Sequence, residues 1–315
     1  MITFLSSPKP FIGIAKDQQY RAIRSWQATG KDVEIILYGV SDGIDQAGSD
    51  LNVKVVRQIN SSSSGIPYFG SIVEHAAEHG KYDYQVYLNC DILLSGILQA
   101  MCQIEFTHFL LIGQRIDLGE DVFVDLGQMD LIPQLAQLAV ENKAVLHSPT
   151  GIDYFGFCRG MWQNLPEIIV GRGGYDNALI AYCMKNRIPI VDGTFRVTAL
   201  HQFHDYGHLT GGVKAVMHGS DAIHNFSNGG VKRSRPLVSD AGYVLKGFQV
   251  ISWPCRGDWL RRLELQIRHE NGRVKTAMAI RLIWRVLNAT GITGVSQLQL
   301  DDIITQMRAQ IVCLK

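Results

Sequence analysis

"VYLNCDILL", residues 86–94, decides how the chain is to be read. Val86 to Leu88 follows a buried-strand pattern, Ile92 to Leu94 resumes it, and between them stand two polar side chains, Asn89 and Asp91, separated by Cys90. An acidic group placed where an apolar run should stop and turn needs a reason. It is either a turn former or helix N-cap for a segment over 95–103, or a group facing a ligand. A carboxylate two residues from another oxygen donor can hold a divalent cation whose remaining positions are filled by substrate phosphates.

Outward from this stretch, strands alternate with helical segments through the first two hundred residues. "ITFL" (2–5) reads as a first strand, followed by the loop "SSPKPF" and an amphipathic helix near 17–28 with Ile23 and Trp26 on one side. "DVEIILYG" (32–39) is a second strand closed by the turn-rich "VSDGID", and "VKVVRQI" (53–59) a third. The polar run "NSSSSG" (60–65) is a loop before a helix over about 67–79. "YQVYLN" (84–89) and "HFLLIGQR" (108–115) follow as strands. This order predicts an α/β fold, an open and mostly parallel sheet with helices on both faces. In such a sheet ligands bind beyond the carboxyl ends of the strands, which puts Ser6 to Lys9, Asp42, Asn89, Asp91 and Arg115 on one rim.

Composition bounds the function classes. At 315 residues, 46% apolar and 19% charged, the chain is long enough for one large α/β domain with an appendage. A net charge of +1 from 30 basic and 29 acidic residues argues against nucleic acid as a partner. The six cysteines form no C-x-x-C pair, which fits a reducing cytoplasm. The start "MITFLSSPKPF" lacks the basic flank and apolar length of a signal peptide, and nothing approaches the ~20 apolar residues of a membrane span. The sequons at Asn60, Asn225 and Asn288 are read as chance matches.

Residues 231–315 differ in character and read as a C-terminal helical extension. Over 251–290, eight Arg or Lys face three Asp or Glu around an apolar stripe. That pattern suits a solvated helix face packed on the core, or peripheral docking on the anionic inner face of a membrane.

Two more stretches carry chemistry. In "VGRGGYDNALIAYCMKNRIPIVDG" (170–193) three glycines make a loop, and Tyr175-Asp176-Asn177 opens a helical pattern. Asp176 is there either an N-cap or a general base held ionised by the helix N-terminus, ready to take a proton from an attacking hydroxyl. "RVTALHQFHDYGH" (196–208) gathers His201, His204, Asp205 and His208 after an apolar strand, with His201 directed to the same rim as Asp91. Such a cluster suits metal or phosphate contact, or a hydrogen-bonded polar loop.

"YLNCDILL" followed by "GRGGYDNALIAYCMKNRIPIVDGTFRVTALHQFHDYGH" resembles the GT-A class of nucleotide-sugar glycosyltransferases, in particular a bacterial and plant branch with G-R-x-G-W-D-N and V-T-A-x-H-Q-x-H-D-Y segments. The resemblance covers about residues 1–230, including "SSPKPF", "QYRAIRSW", "DVEIILYG" and "LLIGQRIDL". It implies a GT-A-like catalytic domain over 1–230 that moves a sugar from a nucleoside-diphosphate donor to the hydroxyl of a glycan or lipid-linked acceptor, with inversion and help from Mn²⁺ or Mg²⁺. It also implies that Asn89 and Asp91 are the D-x-D element holding metal and diphosphate, with Asn89 replacing the usual first Asp. Asp176 then falls at the catalytic base, Tyr175 standing where an acid is usual; His201 completes the metal site, and "SSPK" and Asp42 lie by the nucleotide.

Asp153, in "GIDYFGF" (151–157), rivals Asp176 as the base, and its aromatic neighbours suit an acceptor sugar as well as a short strand. Arg115 is either a ligand of phosphate or acceptor carboxylate, or a structural ion pair. A nucleotidyltransferase needs a Gly-rich, basic phosphate loop after the first strand, and "SSPKPFIG" supplies one Lys and little glycine. A metal hydrolase built on His201, His204, Asp205 and His208 is the alternative from another class.

Overall fold

The computed structural model describes the chain except residues 121, 125, 127–130, 204–211, 233–234, 253–258, 270–272, 290–297 and 313–315. Two sheets carry the fold. The larger is built from β1 (Ile2–Ser6), β2 (Val33–Tyr38), β3 (Lys54–Val56), β4 (Tyr84–Leu88), β6 (Leu110–Ile112), β9 (Tyr154–Cys158), β10 (Ile190–Asp192), β12 (Tyr243–Lys246) and β13 (Gln249–Ser252). Their order is β13-β12-β10-β6-β9-β4-β1-β2-β3. β9, in the middle, runs antiparallel to β4 and β6, and β13 antiparallel to β12. Every other pairing in this sheet is parallel. The smaller sheet uses β5 (Ile92–Ser95), β7 (Ile116–Leu118), β8 (Ala144–Leu146) and β11 (Thr198–His201), in the order β5-β11-β7-β8.

Alternation along the strands explains the layering. Leu5, Ile36, Tyr38 and Tyr87 point to one face, where they pack with α3 (Phe69–His79), α6 (Tyr175–Lys185) and α8 (Ser220–Asn228). Phe4, Ile35, Leu37, Val86 and Leu88 point to the other, against α1 (Gly13–Gln27), α2 (Ile44–Leu51) and α4 (Ile97–Cys102). Burial on both faces is why these strands read as nearly unbroken apolar runs. Trp26, fully buried on α1, stacks on Phe4 at 5.9 Å and donates its indole N–H to the Ile92 carbonyl at 2.9 Å. It thereby ties α1 to both sheets. A third core lies under the smaller sheet, where Leu135 of α5 (Leu131–Val140) and Ile303 and Ile304 of α11 (Leu300–Val312) meet Leu93, Ile116 and Leu200.

The expected open, mostly parallel sheet with helices on both faces is what the chain forms. Details differ from the sequence reading. The first helix begins at Gly13, ahead of 17, and "VSDGID" leads directly into α2. The strands expected over 53–59 and 108–115 contract to β3 and β6. Asp91 caps no helix, because β5 intervenes and α4 starts after Gly96.

The boundary at 230 is not a structural break. Val231, Val238 and Ala241 belong to the core under α6, and β12 and β13 extend the main sheet. Asn225, inside one of the sequons, is fully buried and exchanges two 2.8 Å hydrogen bonds with the Ile169 backbone. The helical part proper comprises α9 (Trp259–His269), which packs on α6, α10 (Val274–Ala289) and α11; α7 (Gly212–His218) completes the set. Among the described residues no helix is long and apolar enough to cross a membrane.

Candidate active site

A cleft of about 390 Å³ opens at the carboxyl ends of β1, β2 and β4. Lys9, Asn89, Asp91, Arg115, Asp153 and His201 all line it, though they come from segments up to 192 residues apart (9 to 201). The antiparallel course of β9 makes this possible: its first residue, Tyr154, pairs with Leu88, the last of β4. Asp153 therefore arrives beside Asn89, and the Asn89 N–H donates to the Asp153 carbonyl at 3.0 Å.

Each polar group is held by a defined partner. Asn89 donates its amide to Asp153 Oδ1, and its own Oδ1 accepts the Tyr175 hydroxyl at 3.3 Å. Arg115 donates from Nη1 to Asp153 Oδ2 at 2.7 Å and from Nε to Asp117 Oδ1 at 2.7 Å. Burial disfavours the charged guanidinium, but the two carboxylates outweigh it and hold Arg115 above its ordinary value. Asp117 also receives His147 Nδ1 at 2.5 Å and lies 3.5 Å from Nδ1 of His201, its register partner on the adjacent strand. Burial pushes the Asp117 carboxyl up, yet the hydrogen bond from His147 and the charge of Arg115 bring it below the usual range. Lys9 Nζ lies 2.7 Å from Asp91 Oδ2, in a pair whose aspartate side chain is only 7% exposed.

Asp176 stands apart. It occupies the first turn of α6 but is not among the residues lining the cleft. Gly174 precedes it with φ +83°, and a Cβ there would meet the Phe226 ring at 2.5 Å, so glycine is required for α6 to begin at this point. Tyr175 then packs edge-on against Phe155 at 5.7 Å. The sequence reading expected the helix N-terminus to keep Asp176 ionised. Instead burial, joined by the neighbouring Asp153 charge, raises its carboxyl to about 7 against the pull of the Asn177 N–H.

Two residues expected on the rim are misplaced by one position. Ser6 is buried in β1 and donates its hydroxyl to the Leu88 carbonyl at 2.7 Å; Ser7 faces the cleft. Asp42 is exposed, and its carbonyl accepts the Phe11 N–H; Ser41 lines the cleft and donates to the Pro8 carbonyl at 2.6 Å. Of the histidine cluster, His201 is described, and His204, Asp205 and His208 lie outside the described residues. Among the described residues no three His, Cys, Asp or Glu side chains are grouped to hold a metal by themselves. Sequence reasoning missed Asp117 and His147. The Arg115-x-Asp117 spacing, which puts both on one side of a strand, is the signal that was there to use.

No protein-family model matches the sequence, and no curated protein is similar to it. Among solved structures, the chain is similar to glucosyl-3-phosphoglycerate synthase from Mycobacterium tuberculosis in complex with uridine diphosphate, at 14% identity over 81% of this chain and 87% of that one, TM-score 0.43. The same enzyme with Mn²⁺, UDP-glucose and phosphoglyceric acid matches at 15% identity over the same shares, TM-score 0.42. At these scores the likeness adds nothing to the strand order and cleft described above.

Proposed function

We propose that this chain is a GT-A-type glycosyltransferase that moves a sugar from a nucleoside-diphosphate donor to an acceptor hydroxyl with inversion. The observation that carries the reading is convergence: six residues singled out for diphosphate or sugar chemistry line one cleft at the carboxyl edge of a parallel sheet. The donor lies along the cleft, with its diphosphate toward Lys9 and Arg115. Asp91 is a buried carboxylate that carries a cation, Lys9, against it, and Asn89 and His201 line the same cleft; this oxygen and nitrogen set fits Mn²⁺ or Mg²⁺ completed by substrate phosphate. Such an ion, when bound, neutralises charge on the leaving diphosphate.

For the general base we infer Asp176, which stands beside Tyr175 in the first turn of α6 and outside the cleft lining, so the acceptor hydroxyl has to approach it from the α6 side of the cleft. A carboxyl near pH 7 combines a useful deprotonated fraction with enough basicity to accept the acceptor's proton. Both carboxylate oxygens of Asp153 are taken by Arg115 and Asn89, so Asp153 orients these two groups and leaves the proton transfer to Asp176. Tyr175, bonded to Asn89, links the base-bearing helix to the diphosphate end of the cleft.

The acceptor is a glycan or lipid-linked hydroxyl, reached with peripheral membrane contact through α10. That helix carries Lys275, Arg281 and Arg285 with no acidic residue, and exposes Leu282 (64%), Ile283 (52%) and Val286 (57%).

The test is release of nucleoside diphosphate from UDP-, GDP- and dTDP-sugars with Mn²⁺ and candidate acceptors, in wild type and Asp91→Ala. Acceptor-dependent release by wild type, lost in the variant, is expected. No release and no thermal stabilisation by any nucleotide would sink the reading.

A further inference from the structure

The loop "SPKP" fixes the main chain of one lysine beside the cleft. Gln19, fully buried on α1, grips the Lys9 backbone from both sides: its Oε1 accepts the Lys9 N–H at 2.8 Å and its Nε2 donates to the Lys9 carbonyl at 3.1 Å. Pro8 and Pro10 fix φ on either side, and the Ser41 hydroxyl clamps the Pro8 carbonyl at 2.6 Å. The main chain of Lys9 is thus fixed, while its side chain, 35% exposed, reaches Asp91 on a four-carbon stem with rotatable bonds. That side chain ends 2.7 Å from Asp91 Oδ2, on the carboxylate assigned above to the divalent cation.

We infer that Lys9 is a tethered stand-in for the metal: it occupies the cation's carboxylate in the nucleotide-free protein and moves onto a substrate phosphate when the metal–diphosphate arrives. The inference rests on the reading of Asp91 as the cation ligand. Two cations cannot share one carboxylate oxygen without strong repulsion, so metal and Lys9 compete for Asp91. Burial explains why a stand-in is needed, since a carboxylate taken out of water is costly without a counter-charge. The phosphate explains where Lys9 goes, because a lysine ammonium on a flexible stem pairs with phosphate as a point charge without fixed geometry. The exchange makes metal and nucleotide bind together, each weakly alone.

The experiment measures Mn²⁺ binding by the loss of the free-ion electron paramagnetic resonance signal, with Mn²⁺ alone and with UDP, GDP or dTDP added. It uses wild type, Lys9→Met, Lys9→Gln and Lys9→Met/Asp91→Asn, each checked for a cooperative thermal transition. Without nucleotide, Lys9→Met is expected to bind Mn²⁺ at least tenfold tighter than wild type, the double variant to lose that gain, and nucleotide to improve Mn²⁺ affinity far more in wild type than in Lys9→Met. Lys9→Gln covers the case in which Lys9→Met does not fold, and carries the same expectation. If wild type binds Mn²⁺ with nucleotide but neither Lys9 variant gains affinity for Mn²⁺ alone, the stand-in role is wrong and the glycosyltransferase reading stands. If no variant binds Mn²⁺ under any condition, or the double variant binds it as well as Lys9→Met, the assignment of the cation to Asp91 falls, and the stand-in role with it.

Discussion

Arg115 bridges two carboxylates, Asp153 at 2.7 Å and Asp117 at 2.7 Å, with its own side chain only 16% exposed. The guanidinium's fork joins the main sheet to the smaller one at the mouth of the cleft. Arg115→Met leaves the Asp153 carboxylate buried without its cation, a change that typically costs about 3–5 kcal/mol. Urea denaturation is expected to show that loss, with part of it recovered in Arg115→Met/Asp153→Asn. An unchanged midpoint in the single variant would show that Arg115 serves substrate alone.

Asp176→Asn removes the proposed general base and is expected to lower kcat by ~10²–10⁴-fold while donor binding persists. In wild type, kcat/KM is expected to rise with pH through an apparent value near 7, as the carboxyl of about 7 loses its proton. A flat profile between pH 5.5 and 8.5 contradicts the assignment.

Stability carries the opposite sign. The folded Asp176 carboxyl, at about 7, binds its proton more tightly than the unfolded chain, whose value is 3.8. Between those two limits the folded state holds more protons, so wild-type stability falls as pH rises. Asp176→Asn is therefore expected to gain melting temperature relative to wild type at pH 8 and to lose that advantage at pH 4. A variant that is less stable at both pH values would refute this.

Gly174→Ala places a Cβ against Phe226 and asks alanine to adopt φ +83°, which should cost roughly 1–3 kcal/mol. The start of α6 shifts with it, so kcat is expected to fall more than the nucleotide affinity does. Calorimetry and steady-state kinetics on the one variant check both.

Leu282→Glu/Ile283→Glu puts two charges on the exposed face of α10. Sedimentation with vesicles containing anionic lipid is expected to capture wild type and not the double variant, while vesicles of neutral lipid capture neither. Turnover of a water-soluble acceptor should be unaffected.

The fold was legible because its strands are buried on both faces and so announce themselves as apolar runs. Ile35, Leu37, Val86 and Leu88 mark the interior by their residue type alone. The cleft was legible where a polar residue interrupts such a run, as at Asn89 and Asp91. Ser6 was one residue off because strand side chains alternate, so a slip of one position moves a side chain from cleft to core, and Asp42 because it sits in the turn between β2 and α2, where periodicity assigns no direction. The raised carboxyl of Asp176 was invisible because tertiary burial and the approach of Asp153, 23 residues away in sequence, cause it, and periodicity reports neither. Asp117 and His147 meet only through the pairing of β7 with β8, across 30 residues of chain.

β9, antiparallel to both its neighbours at the centre of the main sheet, also bears on the order in which that sheet can close. β3, β2, β1 and β4 can pair as soon as residue 88 is available, whereas β6 reaches them only through β9. Until residues 154–158 are added, β4 keeps an unpaired hydrogen-bonding edge and Asn89 has no Asp153 beside it. On the proposed function, a chain truncated before β9 is expected to lack affinity for its ligand and to depend on chaperones for solubility.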